Sequence, residues 1–177
     1  MSIVIINDNP GKQIHQGDIF VDISVLEDVT EDDNILTRKD ILFPFVVCLN
    51  QECDLTQNFN HPDKYPLLHL LIVPAFLYSS FIEGAHWGSV FKPTEGKNSS
   101  TEKKYIQQNQ IPRYHYLEFP ENRNYPRLII DFKQFFTINR DYLYEQMPTH
   151  RLCSLGDLFK ESISQRFSYF LSRIGLP

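Results

Sequence analysis

Proline punctuates this chain. Its 11 prolines run from Pro10 to Pro177, and they break the two longest apolar runs, residues 41–49 at Pro44 and residues 67–77 at Pro74. A proline inside a helix removes a hydrogen bond and clashes with the preceding turn, so this density disfavours long helices and favours short strands and turns. Aromatic residues make up 14% of the chain, which suits a packed core and not a disordered tail. A chain of 177 residues is close to one domain in size. It buries roughly 70% of its unfolded surface and needs neither metal nor disulfide to hold a core. Neither apolar run approaches the ~20 residues of a membrane-spanning helix.

Strands are expected at residues 2–6, 18–26, 41–49, 67–73, 111–119, 127–131 and 134–138. In the second, Ile19, Val21, Ile23 and Val25 share one period-2 face. Residues 41–49 are apolar on both faces, as in a strand covered on both sides, with Pro44 near its start. The next apolar strand stops at Pro74, and residues 75–82 read either as a short helix or as a continued apolar stretch. Residues 7–12 form a turn cluster, residues 51–65 a polar, turn-rich stretch, and residues 84–109 an exposed loop.

One helix is expected near residues 155–174. Ser154 is placed to cap it, with Asp157 three residues on, and Leu155, Phe159, Ile163, Phe167, Phe170 or Leu171, and Ile174 recur at helical spacing. Gly175 and Pro177 stop it. That stripe is expected to pack on the sheet. The fold class is therefore mainly β, one domain over residues 1–177, with a variable insertion at about 78–118 and a C-terminal amphipathic helix.

The net charge of −5 is local. Residues 18–40 hold eight acids and two bases, a balance of −6, which leaves +1 for the remainder. A neutral-to-basic face for nucleic acid is thus compatible with the composition. The acidic stretch 27–33 reads as a solvated loop. Three cysteines make a poor disulfide framework, and no basic, apolar leader opens the sequence. The expectation is a cytoplasmic protein with no membrane association.

Chemistry is sought first at Gln51, Glu52, Cys53 and Asp54, where an apolar strand delivers four polar groups at its end. Adjacent carboxylates disfavour a thiolate, so Cys53 acts as a nucleophile only with help from a distant His or Arg. The alternative is that Asp54 caps a turn and Cys53 packs as a small hydrophobe. A second candidate is Arg113, Tyr114, His115 and Tyr116. It mixes donors with stacking rings, as a single-strand nucleic-acid face does. If Arg113 and His115 share a strand face, they suit acid–base work on a phosphodiester; the alternative is an ordinary half-exposed strand. His150 and Arg151 either complete a site with Gln51–Asp54 or leave Arg151 to pair with a carboxylate. His61, His69 and Asp63 around the loop after Cys53 have no recognised zinc spacing, so no metal is expected. Without a Gly-rich phosphate loop, no cofactor is expected either.

Several short motifs, in order, resemble the small SH3-like barrels of the PemK/MazF-like toxins. They are Gly17-Asp18-Ile19-Phe20, Pro44-Phe45-Val46-Val47, Leu71-Ile72-Val73-Pro74 followed by Ser79 and Ser80, and Phe136-Thr137-Ile138-Asn139-Arg140. The outline covers about 130 residues, interrupted by the insertion. Those toxins carry an Arg beside the proline of the second strand that helps cleave RNA, and Leu42-Phe43 stands there instead. Phe76-Leu77-Tyr78 likewise replaces their usual Thr. The resemblance implies an SH3-like barrel and a divergent member of a bacterial conflict system, toxin–antitoxin or phage defence. It would act mainly by binding a protein or nucleic-acid partner such as RNA. Endoribonuclease activity from a relocated site at Arg113, His115, Cys53 and Asp54, or a Cys53-dependent enzyme, are the alternatives. A second likeness is to uncharacterised bacterial proteins that share Gln51-Glu52-Cys53-Asp54-Leu55 and the ending Arg166-Phe167…Arg173-Ile174-Gly175-Leu176-Pro177, and it implies no activity.

Overall fold

Two strands with apolar side chains on both faces form the middle of the molecule: β3 (Ile35–Cys48) and β4 (His69–Leu77). Along β4, Leu71, Val73 and Ala75 enter one core while Leu70 and Ile72 enter another, as the two-residue alternation of a strand requires. The computed structural model describes residues 3–8, 11–33, 35–86 and 100–173. The protein is mainly β, a curled antiparallel half-barrel sheet with a C-terminal helix. Among the described residues the sheet has eight strands in the order β1-β8-β2-β3-β4-β6-β5, with β7 also paired to β4. The others are β1 (Ile6–Asn7), β2 (Asp18–Asp32), β5 (Tyr114–Leu117), β6 (Leu128–Asp131), β7 (Phe136–Asn139) and β8 (Arg151–Leu155). The segments next to the two end strands, β1 and β5, are joined by a backbone bond from Val4 N–H to the Glu118 carbonyl at 2.8 Å.

Helices cover both faces. Helix α5 (Asp157–Leu171) sends Ile163 and Phe167 into the first core, with Ile19, Val47, Val73 and Phe132. Helices α1 (Glu52–Asn60) and α4 (Arg140–His150) send Leu55 and Leu143 into the second, with Phe20, Ile23, Val46 and Ile72. Helices α2 (Tyr78–Ile82) and α3 (Ser100–Gln107) place Phe81 and Ile106 against Tyr116 and Ile129.

Several local expectations are corrected. The face expected to hold Ile19, Val21, Ile23 and Val25 together is split, because Ile19 lies in the first core and Ile23 and Val25 in the second. The cause is a bend. Asp22 sits at φ 53° between the Val21–Phe45 and Ile23–Phe43 pairs, opposite Pro44, which has no N–H for the ladder. Pro44 is thus interior to β3 and not near its start. Pro74 does not end its strand either. β4 pairs β7 over residues 69–72 and β6 over residues 75–77, so Pro74 falls where the strand changes partner and no ladder donor is needed on that side.

The acidic stretch 27–33 is not a loop. It continues β2, pairing through Asp28–Lys39, Val29–Arg38 and Thr30–Thr37, with a bulge at Glu27 and a Glu27–Lys39 ion pair. Residues 52–60, expected as turn-rich, are helical, with Glu52 and Asp54 complementing the positive end of the helix dipole. Helix α4 and strand β8 had no sequence counterpart. Ser154 lies in β8 and caps nothing; Gly156 is the N-cap of α5, and Leu155 is strand. The insertion is not all exposed loop, since α3 is a helix and β5 supplies an edge of the sheet. Residues 87–99, and Ile174 to Pro177 in the expected helix end, lie outside the described residues.

Candidate functional site

Residues 11–17 form a loop leading into β2, held by several hydrogen bonds to distant residues. Gly17 adopts φ 79°, and a Cβ there would lie 2.9 Å from the Lys160 Cβ, so only glycine lets α5 lie this close. Its N–H bonds the Cys48 carbonyl at 2.8 Å. Asp18 is fully buried. It accepts the Ser154 hydroxyl, the His15 amide at 3.0 Å and the Arg151 guanidinium at 3.4 Å. Burial pushes the Asp18 carboxyl above its ordinary range, against the opposing effect of those three partners. Arg151 also donates to the carbonyls of Gly11 and Gln13, which clamps the loop.

The first turn of α1 packs onto this loop. Glu52 turns back so that Oε1 lies 2.6 Å from His15 Nδ1, while Oε2 accepts the Gln16 amide at 3.0 Å and lies 3.5 Å from Lys160 Nζ. Gln16 in turn donates to Ser164 on α5. Helix α1, the loop and α5 are thereby cross-linked through one carboxylate. Cys53 is exposed beside this junction. Its Sγ–H points to Gln51 Oε1 at 3.6 Å and Asp54 Oδ1 at 3.7 Å, both acceptors. The expectation that Cys53 packs as a small hydrophobe is therefore corrected. Asp54 stands in the helix's first turn and caps no turn.

Arg151 does pair with a carboxylate, Asp18, and through it joins the layer beneath Gln51–Asp54. His150 Nδ1 lies 2.9 Å from the Val21 carbonyl. Among the described residues, no group of three or more His, Cys, Asp or Glu is placed to hold a metal ion.

The second sequence candidate takes a different form from the one expected. Arg113 is held by a two-pronged ion pair, Nε to Asp131 Oδ1 at 2.7 Å and Nη2 to Oδ2 at 2.6 Å, and Asp131 is fully buried. His115 is buried, and desolvation, helped by the nearby Arg166 charge, pulls its pKa down to about 3, so the ring is neutral. Tyr114 meets Phe81 edge-on, and Tyr116 meets Tyr78 in the same way. These rings belong to the interior under α2 and α3 and do not form an open stacking face.

Sequence reasoning missed His15, Gln16, Lys160 and the Asp18–Ser154 pair. His15 and Glu52 lie 37 residues apart, and only the fold makes them neighbours. It also missed the far half of the β2–β3 hairpin, which is exposed on both faces. By register, Leu36, Arg38, Asp40 and Leu42 share one face with their partners Glu31, Val29, Leu26 and Ser24. Leu26, Val29, Leu36 and Leu42 on that face are 49% to 71% exposed. Residues 27–40 carry six acids and two bases, a balance of −4.

Among the described residues no helix is long and apolar enough to cross a membrane. No family model, curated protein or solved structure matches the chain.

Proposed function

We propose that this protein is a barrel-type member of a bacterial conflict system, of the toxin–antitoxin or phage-defence kind, that works by binding a basic protein partner. The observation that carries the reading is the β2–β3 ribbon, with Leu26, Val29, Leu36 and Leu42 exposed on one face beside Glu31, Asp40 and Arg38. Exposed apolar side chains gathered on one face favour association, and a balance of −4 over residues 27–40 favours a basic protein over a phosphate backbone. The barrel-toxin motifs supply the biological context. Relocated nuclease chemistry draws little support from a guanidinium already held by Asp131 and an imidazole buried in the interior.

The test pairs two assays. The purified protein is incubated with a mixed pool of labelled RNA, with and without divalent metal. It is also co-expressed with the products of the genes flanking its own, as wild type and as a Leu36→Asp, Leu42→Asp double variant. The expected outcome is no discrete cleavage, and a basic partner that co-purifies with the wild type and is lost from the folded double variant. RNA cleaved by the wild type and spared by a folded His115→Ala variant would establish the nuclease instead. A partner indifferent to the ribbon substitutions would remove the ribbon from the reading.

A further inference from the structure

Beside the Val4–Glu118 seam lies a cleft of about 630 Å³, between α3, β5 and α5. That size is in the range that takes a small organic molecule. Val4, Leu158 and Phe159 give it an apolar wall. Lys104, Gln107, Gln108 and Ser162 give it donors, and His115, only 4% exposed, is among its buried lining residues. The chain has 22 acidic residues, yet no Asp or Glu lines the cleft among the described residues.

Three buried polar atoms in or behind the cleft are unsatisfied. Of the lining residues, His115 Nδ1 and Tyr116 Oη have no hydrogen-bond partner among the described residues, and neither has Nε of Arg166, which lies near His115 but outside the lining. Arg166 gives its Nη2 to the Ile111 and Tyr114 carbonyls, at 3.1 and 2.9 Å, and makes no ion pair among the described residues. A buried polar atom without a partner costs free energy unless something fills its valence. The Lys104 ammonium has no carboxylate beside it in the lining, and the half-buried Arg166 guanidinium behind His115 adds to the positive potential there.

We propose that the seam cleft is a binding site for a small organic oxyanion. Its anionic head accepts hydrogen bonds from Lys104 and His115, and its flat apolar body lies against Val4, Leu158 and Phe159. The site is separate from the β2–β3 ribbon, and the inference does not depend on the partner-binding reading.

The experiment titrates the full chain with four probes, followed by calorimetry and by the ¹⁵N resonances of the His115 ring. Adenosine 5′-monophosphate and benzoate carry head and body, with phosphate and carboxylate as the two head chemistries. Inorganic phosphate carries the head alone, and adenosine the body alone. The expected result is that at least one of the two-part anions binds about tenfold or more tightly than adenosine or inorganic phosphate. Saturation shifts the His115 resonances, and Lys104→Glu, an exposed substitution that leaves the melting temperature unchanged, weakens binding about tenfold or more. The proposal is overturned if neither two-part anion binds, if adenosine binds as well as they do, or if binding neither moves His115 nor responds to Lys104→Glu. The Lys104 variant keeps the test valid even where His115→Phe disturbs the fold.

Discussion

Single residues divide cleanly between interior and surface chemistry. Burial pushes the thiols of Cys48 and Cys153 up to about 12, whereas Cys53 is exposed. A disulfide reagent applied to the native protein at neutral pH is therefore expected to label one thiol quickly, and Cys53→Ser to leave none that reacts before unfolding. Fast labelling of two or three native thiols would contradict this placement. His115 sets a pH dependence. Its folded pKa of about 3 lies below the ordinary 6.5, so as pH falls the unfolded chain takes up a proton that the folded chain refuses. Stability is therefore lost toward acid, by about 1.5 kcal/mol from this residue between pH 6.5 and 5. Urea midpoints at the two pH values should differ by correspondingly less in His115→Phe. Arg113 is the structural counterpart. Arg113→Ala strands the buried Asp131 carboxylate, and a loss of about 3 kcal/mol in urea unfolding is expected.

At the level of elements, β5 shows how a sheet edge is kept from pairing with another chain. The Asn109 side chain accepts the Tyr116 N–H at 2.6 Å and donates to the Tyr116 carbonyl at 3.3 Å, standing in for a neighbouring strand. Asn109 also sits at φ 55°, which suits asparagine and glycine. Asn109→Gly keeps the backbone conformation and removes the amide. A loss of about 2 kcal/mol and new concentration-dependent association, read by sedimentation, are expected. An unchanged monomer would refute the edge-capping role. Elements of this kind differ in how far a sequence reveals them. β3 and β4 were legible because they are apolar on both faces, and α5 because Phe159, Ile163 and Phe167 recur at helical spacing. Helix α1 buries only Leu55 and Asn58, and α4 only Leu143 beside an internal Pro148, so neither shows a periodic stripe. Ser154 looked like a cap because its true partner, Asp18, is 136 residues away. For the same reason Gln51–Asp54 could be flagged from sequence while His15 and Lys160 could not.

For the whole molecule, the governing fact is the strand order. β8 lies between β1 and β2, so Ile6 pairs Leu155 and Asp18 pairs Ser154. Sheets built on such distant pairings fold slowly, in milliseconds to seconds. The β2–β3 hairpin is local, and the β8 seam is not. Val46→Ala is thus expected to slow refolding, while Cys153→Ala chiefly speeds unfolding, in stopped-flow measurements. Equal effects on both rates would argue against a late-docking β8. The same strand order bears on how the chain leaves the ribosome. The hairpin can form as soon as it emerges, but β8 (Arg151–Leu155), which completes its flank, follows the hairpin's last residue, Cys48, by about a hundred residues, roughly five to twenty seconds at ordinary elongation rates. Throughout that interval Asp18 stays hydrated and the flank of β2 stays open to the cell. The nascent barrel is exposed longest on the side it finally seals with Arg151 and Ser154.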